Sequence, residues 1–461
     1  MISIEQLDDR LRISHFGKDG KIKFKEVPIP RTEKYKWEPA GSERQDPFFQ
    51  SWDGKPVKKV KSYWLNRFRI EEYLYSLGEE YMKDVYEFNN PEIWFCDIEV
   101  EVLDEFPDPA LAKTPVTAVA LVCKGQTYVL GTKKLEPQQI RNIEKRYTEH
   151  LKEYNPNPSF QYFHFLSEAE MLMTLFGKWF KDAPLITGWN FIGFDWKYLI
   201  NRCKRLGVDP SICALDKNRT LQGDDQIPMH KIVVDYLDLY KKWDRVVKIK
   251  ENNKLDTVAK AALGIEKIKY NGSLQDLYNN DFETYVFYNA VDTYLVYLLD
   301  KKINTMQTFL MLANVTRVEA LRAFSPIWMT ECNMIREFYK RKRVIAETKK
   351  SSKAQSFEGA YVKDPRKGLH QYLATFDFAS LYPSTMRQWN ISPESYKGKN
   401  VDIPENSGWI TTASGAVFDN SEDSVMRTIL ADFYGKRKDS QKKYKNIETE
   451  IDFLNKVLLE K

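Results

Sequence analysis

Cysteine is sparse and unpaired in this sequence. Cys96, Cys123, Cys203, Cys213 and Cys332 are odd in number and include no Cys-x-x-Cys pair. A disulfide framework and a zinc cluster are therefore not expected, and reduced thiols in a cytosol are. Long apolar runs are missing too. Nothing approaches the roughly 20 residues a membrane span needs, and the opening MISIEQLDDRLR has no signal-peptide core, so an intracellular chain with no membrane partner is expected. Charge of one sign is also scarce. Lys and Arg number 70 against 65 Asp and Glu, and a net +5 is too small to identify a polyanionic partner. Basic clusters at 55–61 (KPVKKVK) and 434–444 (YGKRKDSQKKY) suit either a solvated face or a phosphate-binding one.

Aromatic residues, in contrast, reach 14%, ample for both cores and base-stacking surfaces. A length of 461 residues exceeds one ordinary core and predicts about three domains. Residues 1–92 are mixed and carry no chemical motif. From 93 the pattern turns to strands: IWFCDIEVEV, then VTAVALVCKGQTYVLG, two apolar runs about a Lys-Gly turn that predict a hairpin. DWKYLINRCKRLG and LDTVAKAALG predict helices that stop at Gly207 and Gly264. An α/β domain is expected over 93–300, a largely helical stretch over 300–355, a strand opening at TFDF within 356–428, and one long helix from 429 to 461. On that helix Ile447, Ile451, Leu454 and Leu458 form an apolar stripe.

Four acids fall in three places. Asp97 and Glu99 lie two apart in a strand and share a face. Asp195 follows LITGWNFIGF at a strand–helix junction, where an N-cap is the ordinary alternative. Tyr288 and Asp292 stand four apart in FYNAVDTYLVYLL, on one helix face. Singly each has a bland explanation, surface decoration or a cap. Together they supply what a two-metal phosphodiester hydrolase needs, because two dications held about 4 Å apart require several anionic ligands. Hard oxygen donors without Cys or His point to Mg²⁺ or Mn²⁺, two ions in one site.

DIE, NFIGFD and YNAVD, in this order and spacing, resemble the three exonuclease motifs of B-family DNA polymerases, and DFASLYPS with RQWNISPE behind it resembles their first polymerase motif as found in T-even-like bacteriophages. The likeness spans about 93–395. It implies α/β plus α+β architecture in several domains: a ribonuclease-H-like 3′–5′ exonuclease at 93–300, an N-terminal domain at 1–92 to which 300–355 contributes, an incomplete palm at 356–428 and a first fingers helix at 429–461. It also implies that Asp97, Glu99, Asp195 and Asp292 hold the metals, that Tyr288 orients water, and that Asn190 and Phe106 contact the DNA strand. In the transfer site it makes Asp377 and the Phe378 carbonyl metal ligands. Ser380, Leu381, Tyr382, Arg437 and Lys442 become nucleotide contacts, and Gly359, in FEGAYVKDP, a DNA contact.

The family's second transfer acid should follow in a Tyr-x-Asp-Thr-Asp segment, and none is present. The expectation is therefore a split enzyme of a phage, acting in the bacterial cytoplasm. This chain would bind primer-template and single-stranded DNA. A second chain would bring the other fingers helix, the remaining palm acid and the thumb, and dNTP would bind with that partner. A sliding clamp is a further partner the sequence leaves open. The alternatives are a stand-alone exonuclease of the four-acid type and a non-catalytic DNA-binding assembly subunit.

Overall fold

Strict alternation explains the strand Ile93–Val100. Cys96, Ile98 and Val100 are buried on one face, while Phe95, Asp97 and Glu99 take the other. A computed structural model describes this strand and the rest of residues 1–42, 44–102, 106–155, 158–215, 221–245, 247, 252–265, 268, 272–347 and 362–459. The described chain forms two compact units, Met1–Ile29 with Glu79–Met329, and Pro30–Gly78 with Thr330–Lys461.

In the first unit Ile93–Val100 is an interior strand of a six-stranded mixed sheet. The spatial order is Ser159–His164, Gln126–Gly131, Val116–Cys123, Ile93–Val100, Leu185–Gly188, Ile232–Asp235. The hairpin forms as predicted, with Lys124 and Gly125 at φ 51° and 79°, the paired positive values of the tight turn that matches strand twist. Leu185–Gly188 and Ile232–Asp235 run parallel to the acid-bearing strand and are buried throughout, so their sequences, LITG and IVVD, are mainly apolar and do not alternate. One face of the sheet packs Ile98, Val119, Leu121 and Ile186 against Phe176, Trp196 and Leu199. The helix Phe282–Ile303 packs against Ile93–Val100 and Val116–Cys123 and is buried nearly all round from Tyr285 to Leu299, which is why its sequence shows little amphipathic contrast. A three-stranded antiparallel sheet, Ser3–Gln6, Arg10–Phe16 and Ile22–Pro28, is tied to this unit by His230. The ring of His230 meets Ser3 Oγ at 2.9 Å and Glu5 Oε2 at 3.1 Å.

The second unit pairs Tyr35–Pro39 with Val57–Lys61 and carries a small antiparallel sheet of Tyr396–Lys399, Ala416–Asp419 and Trp409–Thr411. The fully buried amide of Asn390 fastens this region. Its Nδ2 donates to the carbonyls of Asp419 and Glu422 at 2.7 and 2.8 Å, and its Oδ1 accepts from the Ser424 N–H at 2.9 Å. The long last helix forms over Val425–Leu459, with Ile447, Ile451 and Leu454 exposed. One expectation fails. TFDF lies outside any regular element, and among the described residues no strand lies beside it to take its backbone hydrogen bonds.

Candidate active site

Asp97, Glu99, Asp195, Tyr288 and Asp292, which the sequence scatters over almost 200 positions, line one cavity of about 280 Å³. The strand brings Asp97 and Glu99 to the face that meets the helix Phe282–Ile303, and one turn of that helix sets Tyr288 and Asp292 on the same side. The bulge in strand pairing falls just after Glu99 and leaves Thr117 as the extra residue. The Thr117 hydroxyl donates to the Glu99 carbonyl at 2.9 Å and meets the Tyr285 hydroxyl at 2.5 Å, so the end of the acid-bearing strand is held from the helix side.

Asp195 arrives by a different route. It is not an N-cap. It sits inside a wide π turn, Ile192–Trp196, that precedes the helix Lys197–Leu206, and its Oδ1 accepts from the Ile98 N–H at 2.9 Å. Asp235, at the end of the neighbouring strand, accepts from the Ile192 N–H at 3.2 Å and the Leu237 N–H at 2.9 Å, anchoring the start of that turn. Gly188 permits the close approach. A Cβ there would lie 2.2 Å from the Cys96 carbonyl oxygen.

Burial sets the electrostatics. Asp195 is buried, and desolvation first, then the Asp97 charge, push its carboxyl well above the usual carboxylate range. Tyr288 is pushed far above an ordinary phenol by burial, with Asp292 and Glu99 adding to it, so it keeps its proton and donates to Asp292. Anions crowded into a low-dielectric cleft favour a cation, and the titratable lining is wholly carboxylate and phenol. That donor set fits Mg²⁺ or Mn²⁺. Among the described residues no three His, Cys, Asp or Glu are drawn into a closed cage. Asn289 Nδ2 gives Asp97 Oδ2 a hydrogen bond of 2.9 Å.

Asn190, at φ 59°, and Phe106, 79% exposed, also line the cavity. The Phe106 ring stands 5.4 Å from that of Phe194. Trp189 and Phe194 are lining residues that sequence reasoning passed over, although both lie inside the quoted LITGWNFIGF, where aromatic residues precede the acid.

The residues expected at a transfer site lie in the other unit. Asp377, Phe378, Leu381 and Tyr382 are exposed, and Ser380 takes the left-handed conformation (φ 56°) that starts the helix Leu381–Gln388. Arg437 comes to this segment, its Nη1 3.3 Å from Ser380 Oγ. Lys442 stands exposed further along the same helix. Gly359 lies outside the described residues.

Two family models match the chain: the exonuclease domain of DNA polymerase family B over residues 51–258, and DNA polymerase family B over 328–461. The DNA-directed DNA polymerase of Escherichia phage RB69 is 26% identical over 416 residues, 83% of this chain and 46% of the phage protein. The DNA-directed DNA polymerase of Enterobacteria phage T4 is 27% identical over 397 residues, 79% and 44% of the two chains. A DNA polymerase of Archaeoglobus fulgidus is 29% identical over 286 residues, 58% and 33% of the two. The chain thus spans about half the length of the phage relatives it matches.

Proposed function

From a chain of DNA polymerase family B that carries a 3′–5′ exonuclease domain and part of the polymerase region, we propose that residues 93–300 hydrolyse phosphodiester bonds at the 3′ end of single-stranded and primer DNA. The observation that carries this reading is the convergence of Asp97, Glu99, Asp195, Asp292 and Tyr288 on one cavity. The spatial order of the six strands supports a ribonuclease-H-like domain.

The four carboxylates would hold two Mg²⁺ or Mn²⁺ ions, which when bound supply an acidified water and a stabilised leaving 3′ oxygen. The chain's own residues do the rest. Tyr288, locked in its protonated form, can donate a hydrogen bond but cannot act as a base, so it orients water or phosphate. Phe106 and Phe194 offer ring faces to a terminal base, and Asn190 offers an amide to the strand.

Residues 356–461 carry half of a nucleotidyl-transfer site: Asp377 with the Phe378 carbonyl for metal, and Ser380, Leu381, Tyr382, Arg437 and Lys442 for the nucleotide, with Gly359 toward DNA. Its completion requires a second acid that no Tyr-x-Asp-Thr-Asp segment of these 461 residues supplies, together with the remaining fingers and thumb, in a phage-infected bacterial cytoplasm. Among the described residues no helix is long and apolar enough to cross a membrane.

The test is direct. Incubated with 5′-labelled single-stranded DNA and Mg²⁺, the purified chain shortens it stepwise; with primer-template and dNTPs it adds nothing. Extension by the chain alone would overturn the half-site reading, and undiminished hydrolysis by D97A/E99A would overturn the exonuclease site.

A further inference from the structure

We infer that Asn289 is a positioning residue that sets the orientation of the Asp97 carboxylate for the metal site; the inference rests on the exonuclease reading above. Asn289 follows Tyr288 and precedes Asp292 by three residues on the helix Phe282–Ile303. It is fully buried, so it touches neither substrate nor solvent. Its Nδ2 donates to Asp97 Oδ2 at 2.9 Å. The amide orientation is dictated by its partner, because a carboxylate only accepts.

Two features argue that this contact exists for the carboxylate rather than for the core. The Asn289 Oδ1 is buried and has no hydrogen-bond partner among the described residues. A buried amide with half its capacity unspent costs free energy that an isosteric Leu would not. The backbone there needs no help from the side chain either, since the Thr293 hydroxyl already donates to the Asn289 carbonyl at 2.9 Å. What the amide uniquely supplies is a neutral donor to one oxygen of Asp97. It fixes one oxygen of the carboxylate from the helix side without adding a charge that would compete with an ion.

Mn²⁺ binding to the whole chain, followed by the electron paramagnetic resonance of free Mn²⁺, tests this in wild type, N289L, N289A and D97A/E99A. The expected result is binding weakened about 10–100-fold in both Asn289 variants. Hydrolysis at limiting Mg²⁺ should fall and recover as Mg²⁺ is raised, with KM for DNA unchanged. N289L that melts like wild type and binds Mn²⁺ as tightly would overturn the inference, and so would failure of both variants to fold, which would make Asn289 a stability residue. Wild-type affinity in D97A/E99A would instead overturn the metal site itself, so the two failures are distinguishable.

Discussion

Asp97 and Asp377 each sit in a short run beside aromatic residues, FCDIEV in one case and TFDFAS in the other. Asp97 lies in a strand paired on both sides, with a buried helix laid across it and an amide fixed on one of its oxygens. Asp377 lies on exposed chain outside any regular element, with no strand beside it among the described residues. Folding fixes the Asp97 carboxylate against neighbouring elements, whereas among the described residues Asp377 has no paired strand beside it.

The largest effect separates the two directly. D97A/E99A should lower single-strand hydrolysis by about 10³-fold or more, as loss of several kcal/mol of metal-derived stabilisation requires, and chelation with EDTA should do the same to wild type. Next comes the close approach of strands. G188A drives a Cβ into the Cys96 carbonyl, and should cost about 3 kcal/mol or more by thermal or urea unfolding, with hydrolysis falling as Asp97 and Asp195 shift.

The third probe uses Asp300, on the helix that carries Asp292. Burial lifts its carboxyl from 3.8 to about 6, with the Met306 N–H opposing. Between those values the folded chain holds a proton that the unfolded chain has released, so stability falls as pH rises through the window, by up to about 3 kcal/mol. D300N removes that slope. The stability of wild type relative to D300N should therefore decline between pH 4 and 6.5, and a flat difference would show Asp300 ionised throughout.

A fourth, D235A, releases the Ile192 and Leu237 N–H groups. It should cost about 1–2 kcal/mol and weaken hydrolysis about tenfold through Asp195, an amount worth ~1.4 kcal/mol. Smallest of all, D377A should leave hydrolysis within about twofold. A large loss there would mean the exposed segment serves the cavity, and the contrast between the two regions would collapse.

Much of the cavity was legible in advance, because its acids stand on elements whose period is unambiguous. Strand alternation places Asp97 and Glu99 together, and a four-residue helical step places Tyr288 with Asp292. Asp235 and Asn289 were not legible, since each acts through a contact made only on folding. Asp235 reads as a helix cap, which it also is, and Asn289 reads as one polar residue in an apolar helix. TFDF misled for the converse reason. A strand-like composition states a preference, and a strand exists only when a neighbour completes its ladder.

The wide turn at Ile192–Trp196 has a consequence for how this sequence tolerates change in length. It accommodates one residue more than an ordinary helical turn, and each residue advances a helix by about 100°. A single deletion inside it would therefore swing Asp195 away from the Ile98 amide by more than a quarter revolution while leaving the carboxylate itself chemically intact. At this place it is the tally of residues, as much as their identity, that aims the carboxylate.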